Sequence, residues 1–95
     1  VMDWISIEEL KEKLGEVPLV DVRESHEYLE GHVPTAVNIP LSQLNEKYKE
    51  VESGSYIICQ SGMRSMRACQ ALETQGIATI NVAGGTSAWD DKLEK

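Results

Sequence analysis

The chain has 95 residues, 41% hydrophobic and 26% charged, a composition that fits one folded domain and excludes a fibre or a disordered tail. Sixteen acidic against nine basic residues leave a net charge of −7, so nucleic acid and anionic membranes are poor partners, because their phosphates repel such a surface. The longest apolar run, Tyr56–Cys59, is far short of the ~20 residues that a transmembrane helix needs. The start, Val1-Met2-Asp3-Trp4, has neither a basic stretch nor an apolar core, so no secretion signal is expected there.

Short apolar segments alternate with helical ones. Ser6-Ile7-Glu8-Glu9 reads as a capping box, with Ser6 at the N-cap and Glu9 at N3. Ile7, Leu10 and Leu14 follow at helical spacing until Gly15. Pro18–Val22 predicts a short buried strand, and Ser25 a cap for a brief helix running to Glu30 and ended by Gly31. Ala36–Ile39 predicts another strand, closed by Pro40, and Ser42 caps a helix toward Lys49. Ser55–Cys59 is apolar on both faces, as a central parallel strand should be. Gly62 breaks the loop after it. Arg64–Gln75 predicts a helix whose buried stripe is Ser65, Ala68, Cys69 and Leu72, ended by Gly76. Thr79–Val82 is the last expected strand, Gly84-Gly85 a turn and Thr86–Trp89 a short helix. This order predicts an α/β fold: a mainly parallel central sheet with helices on both faces, and a site outside the carboxyl ends of the strands. Cys59 lies at such an end.

The acids are unevenly spread. Ser53–Leu72 contains none, yet holds Arg64 and Arg67. Two readings are open: an anion is handled there, or an apolar strand leaves no room for acids. Cys59 and Cys69 lie ten positions apart, with no CxxC spacing, so a disulfide scaffold is not expected and a reducing, cytoplasmic setting fits. His26 and His32 have no close cysteine partner, so no metal site is expected.

The chemistry concentrates in Cys59-Gln60-Ser61-Gly62-Met63-Arg64-Ser65. A cysteine ends a buried strand, and a helix opens within a few residues. Gly62 permits a tight turn. Loop amides and the free N–H groups of the helix can then point at the sulfur, an anion nest backed by a helix dipole. Such a setting favours thiolate over thiol. Cys69, inside the helix stripe, reads as a small core hydrophobe.

Three ordered segments give the chain a resemblance to the rhodanese family of single-domain sulfurtransferases. Leu19–Glu24 with Glu27-Tyr28 and Gly31–Pro40 looks like its N-terminal signature, Cys59–Ser65 like its active-site loop, and Asn81–Gly85 with Ala88-Trp89 like its C-terminal signature. The resemblance implies one rhodanese-like domain over residues 1–95. It implies that Cys59 is the catalytic nucleophile, which takes sulfur from a small anionic donor such as thiosulfate, becomes a persulfide, and yields the outer sulfur to a second nucleophile. Gln60, Ser61, Gly62, Met63, Arg64 and Ser65 would form the binding loop, Arg64 holding the anionic donor. No metal or organic cofactor is implied. Arg23, on the same sheet edge, has two open roles: added positive potential in the pocket, or a surface salt bridge with Glu24 or Glu27. Asp21 is expected to accept hydrogen bonds from nearby backbone, His32 to be structural, and Gly84-Gly85 with Trp89 to brace the site. Two positions depart from the family pattern. Thr35 stands where glycine is common, and Thr86, where a large apolar residue often follows the glycine pair, is expected to loosen packing beside the site.

Two alternatives compete. Cysteine phosphatases of the dual-specificity kind look similar in fold, but their loop puts one more residue between Cys and Arg than the four here, Gln60–Met63. A module that relays sulfur to a protein acceptor without free turnover would keep the same residues.

Overall fold

The computed structural model describes residues 3–95; Val1 and Met2, which enter the secretion-signal reading, lie outside the described residues. Five parallel strands form one sheet: β1 (Asp3–Ile5), β2 (Leu19–Asp21), β3 (Val37–Asn38), β4 (Tyr56–Ile58) and β5 (Ile80–Val82). Their order is β1-β5-β4-β2-β3, which places β4 at the centre, as its two apolar faces require. Val20 lies opposite Ile57 on one side and Val37 on the other, and Ile57 opposite Asn81.

Helices α1 (Ile7–Lys13), α2 (Ser25–Glu30), α3 (Leu44–Lys47) and α4 (Met63–Thr74) cover both faces. Period-two alternation along β2 and β4 divides the core accordingly. Val20, Val22, Ile57 and Cys59 join Leu44 of α3 and Ala68, Cys69 and Leu72 of α4. Leu19, Ile58 and Val82 join Ile7 and Leu10 of α1, with Tyr28 of α2 packed against them. Ser65, Ala68, Cys69 and Leu72 are all buried, so the α4 stripe is as the spacing requires. Among the described residues no helix is long and apolar enough to cross a membrane.

The Ser6 capping box forms, Glu9 N–H donating to Ser6 Oγ at 3.2 Å and Ser6 N–H to Glu9 Oε1 at 3.2 Å. One element goes unsignalled and two local expectations fail. Strand β1 is not signalled in the sequence; it is a mostly exposed edge, held by backbone pairing of Asp3–Ile5 with Ile80–Val82. Ser25 is the first helical residue of α2 and not its cap. Glu24 holds that place, and its N–H donates to Glu27 Oε2 at 3.0 Å. Ser42 caps nothing either. It lies in a 3-10 turn, Leu41–Gln43, ahead of the four-residue α3, and its hydroxyl donates to Glu24 Oε1 at 2.8 Å. Leu41 is tied to the sheet through its N–H to Val22 O at 2.9 Å, so the segment winds tightly where a regular helix was expected.

Candidate active site

Cys59 follows the last residue of β4, and its side chain is fully buried. The chain must pass from strand to helix within Gln60–Gly62. Gly62 makes the turn in the left-handed region, φ +102°, as N-cap of α4. Its N–H thereby donates to Cys59 Sγ at 3.1 Å. Ser65, one turn into α4 and also fully buried, sets its Oγ 3.3 Å from Sγ.

Amides can face the sulfur only if the loop carbonyls face elsewhere, and those carbonyls have partners of their own. Cys59 O accepts Thr86 N–H at 2.8 Å and the Thr86 hydroxyl at 3.1 Å; Gln60 O accepts Ser87 N–H at 2.9 Å. Gly85 brings that segment in. A Cβ at Gly85 would lie 2.4 Å from Cys59 O and 2.7 Å from Gln60 C, so only glycine permits the approach. Thr86 is thus corrected from a loosening residue to a brace: it is buried and donates twice to the Cys59 carbonyl.

The two thiols respond oppositely. Burial raises the Cys59 thiol, but hydrogen bonds from the Ser65 side chain and from backbone N–H groups of Ser65, Gly62 and Ser61 outweigh it, and the thiol sits below its ordinary value. For Cys69, burial prevails and pushes the thiol up.

Arg64, on the first turn of α4, does not stand free above the loop. Its Nη1 donates to Glu27 Oε2 at 2.7 Å and its Nη2 to Glu27 Oε1 at 2.9 Å, a two-pronged ion pair between α4 and α2. Arg64 holds the Glu27 carboxyl down to about 2. Arg23 is likewise committed, and to neither of the partners expected for it. Its guanidinium is buried and pairs with the fully buried Asp21, Nη2 to Oδ2 at 2.9 Å, with Nε at 3.1 Å from both carboxylate oxygens. Nη2 also donates to Gly31 O at 2.8 Å, and Nη1 reaches Gln60 Oε1 at 3.4 Å. Arg23 therefore touches the loop only through the side chain of Gln60, because a buried guanidinium needs a buried carboxylate before anything else. Asp21 also accepts the Arg23 N–H at 2.9 Å, the backbone bond expected of it.

Gln60 and Ser61 are exposed on the loop, and Met63 is exposed at the start of α4. His32 stacks on Tyr28, ring centroids 3.7 Å apart, and its Nδ1 lies 3.0 Å from Tyr28 O, a structural arrangement away from the sulfur. Among the described residues no group of three or more His, Cys, Asp or Glu stands close enough to hold a metal ion.

Two contacts at the site have no counterpart in the sequence analysis. Asn81, buried in β5, accepts the Ser65 hydroxyl on Oδ1 and donates from Nδ2 to Gly62 O at 3.3 Å, linking helix, loop and neighbouring strand. A lone amide between Ile80 and Val82 in an apolar strand was the available signal, since a buried polar group needs partners. Glu27, a motif residue and one of the two partners expected for Arg23, pairs instead with Arg64 where α2 and α4 cross.

A model of the rhodanese-like domain matches residues 6–92. The chain belongs to the rhodanese-like family of sulfurtransferases. The Bacillus subtilis protein YtwF is 45% identical over 95 residues, which cover 95% of this chain and 92% of that protein. A protein named sulfurtransferase from Allochromatium vinosum is 33% identical, over 94% of this chain and 89% of its own length. The crystal structure of a rhodanese-like domain protein from Staphylococcus aureus superposes with a TM-score of 0.91 at 38% identity, covering 98% of this chain and 97% of that one. The rhodanese-like fold is thus present with its central parallel sheet, and the loop after β4 is where its chemistry is sought.

Proposed function

We propose that this chain transfers sulfane sulfur through a persulfide on Cys59. The reading is carried by one observation: Cys59 Sγ accepts the Gly62 N–H at 3.1 Å and sits 3.3 Å from Ser65 Oγ, while the loop carbonyls are drawn away by Thr86 and Ser87. Such a nest favours an anion on sulfur, first the thiolate and then the persulfide.

With thiosulfate as donor, the Cys59 thiolate attacks the outer sulfur. A new S–S bond forms, the old one breaks, and sulfite leaves with the bonding pair. A nucleophile then attacks the outer sulfur of Cys59–S–S⁻ and restores the thiolate; cyanide leaves as thiocyanate, and a protein thiolate as a persulfide. Amides of Gln60–Ser65 hold the charge on the outer sulfur, and Arg64 with Glu27 forms the rim. Both cysteines are free and buried, which fits a reducing, cytoplasmic compartment.

The test is intact-mass analysis after incubation with thiosulfate. The expected result is a gain of one sulfur atom on the native protein, reversed by cyanide, and none on Cys59→Ser. Continuous thiocyanate production marks a free-standing enzyme; a single loading discharged only by a protein thiol marks a relay module. Robust hydrolysis of p-nitrophenyl phosphate with no persulfide on Cys59 would overturn the reading in favour of a phosphatase.

A further inference from the structure

The rim of the site holds two arginines, and each is matched by a carboxylate. Arg23 is buried against Asp21. Arg64 is gripped through both terminal nitrogens by Glu27, which is itself held from the other side: the Glu24 N–H donates to the same Oε2 that takes Arg64 Nη1. Glu27 is thus preorganised at the N-terminus of α2 rather than swinging freely. Its carboxyl titrates at about 2, so it stays ionised throughout the neutral range. A guanidinium in this position presents almost no net charge to an incoming anion, and the whole chain adds a further −7.

We propose that Glu27 determines donor choice: by neutralising Arg64 at the rim, it turns the site away from dianionic thiosulfate and toward sulfane donors carrying one negative charge, such as organic persulfides and thiosulfonates. The inference rests on the sulfurtransferase reading above and names its substrate class. Glu27 touches no reacting atom in this account. It acts through Arg64, and its effect follows the charge of the donor.

Thiosulfate and methanethiosulfonate separate the charge from the chemistry. Each presents an outer sulfur on a sulfonyl group, and attack by the Cys59 thiolate releases sulfite from the first and methanesulfinate from the second. The two donors differ by one charge. In Glu27→Gln the amide keeps one hydrogen bond to Arg64 and removes the compensating charge. We expect kcat/KM for thiosulfate to rise relative to methanethiosulfonate by roughly tenfold, through KM, with the gain shrinking as salt is added. An unchanged ratio, or equal loss with both donors, would mean that Glu27 only positions Arg64 and would overturn the proposal. The native protein supplies a second measurement that does not depend on the variant folding. With no uncompensated cation at the rim, kcat/KM for thiosulfate should stay flat or rise with ionic strength; a steep fall would show a free guanidinium capturing the dianion and would equally overturn it. Absence of any persulfide with either donor, in either protein, would instead remove the sulfurtransferase reading itself.

Discussion

Cys59 and Cys69 sit in the same core cluster and are both buried, yet they are different chemical objects. Around Cys59 the chain leaves a strand, so its neighbouring amides have no ladder or helix partner and can turn to the sulfur. Around Cys69 the chain is mid-helix, the nearby N–H groups are used along α4, and burial outweighs the one hydrogen bond, from the Thr79 side chain, that would lower the thiol. Burial therefore does not decide the state of a thiol here. The supply of hydrogen-bond donors does, from the Ser65 side chain and from backbone N–H groups left uncommitted where one regular element ends and another begins.

The comparison breaks most severely if the wrong sulfur is removed. Cys59→Ser should abolish sulfur transfer, while Cys69→Ala should keep most of it and cost on the order of 1 kcal/mol of stability. Loss of transfer in both folded variants, measured as thiocyanate production, would erase the distinction.

Next in size is the brace. In Gly85→Ala the new methyl group collides with backbone of Cys59 and Gln60 at a φ of +60°, a position it cannot relieve by rotating a side chain. We expect about 3 kcal/mol of destabilisation and a severe loss of transfer. Gly15→Ala, also at positive φ but with open space around it, should cost only about 1 kcal/mol and leave transfer intact. Urea denaturation with a parallel activity assay checks the contrast.

Ser65→Ala sharpens the comparison by making Cys59 more like Cys69. To hold the charge of an ionised Cys59 the Ser65 hydroxyl turns its proton from Asn81 Oδ1 to the sulfur, so its removal should raise the Cys59 pKa. Alkylation by iodoacetamide, which follows the thiolate, should then shift its inflection to higher pH and slow at neutral pH, while Cys69 alkylation stays slow in both proteins. Asn81 Oδ1 also loses its partner, at a cost of about 1–3 kcal/mol. An unmoved pH profile would mean that the backbone amides alone set the thiol.

The smallest effect is a control that touches neither cysteine. Thr35 is the one non-glycine among the described residues at positive φ, +76°. Thr35→Gly should relieve this strain and stabilise the fold by about 0.5–1 kcal/mol, against the added freedom of the unfolded chain, with no change in sulfur transfer. A lower melting temperature would show that the threonine side chain contributes more than its backbone costs.

Much of this was legible in the chain. The central strand, the α4 stripe and the contrast between the two cysteines follow from apolar period and from Gly62, because these depend on local order along the sequence. The edge strand β1 was not legible, since three mostly exposed residues carry no periodic signal and are strand only by pairing with β5. Nor were the helix caps at Glu24 and in the segment after Pro40, where tertiary ties to the sheet outweigh the preference of serine for the cap.

Local order along the chain is enough to place Cys59 at a strand end, ahead of a glycine turn. It could not say how the arginines would be spent. Arg23 and Arg64 are cations in the sequence, but folding brings Asp21 and Glu27 against them and consumes their charge. Nor could it join Asn81 to Ser65, or the carbonyls of Cys59 and Gln60 to Thr86 and Ser87, contacts between segments 16 to 27 residues apart. Composition and period record what each residue prefers alone. Pairing across the fold is a competition among partners, and the tertiary structure decides it because only there do the competitors meet.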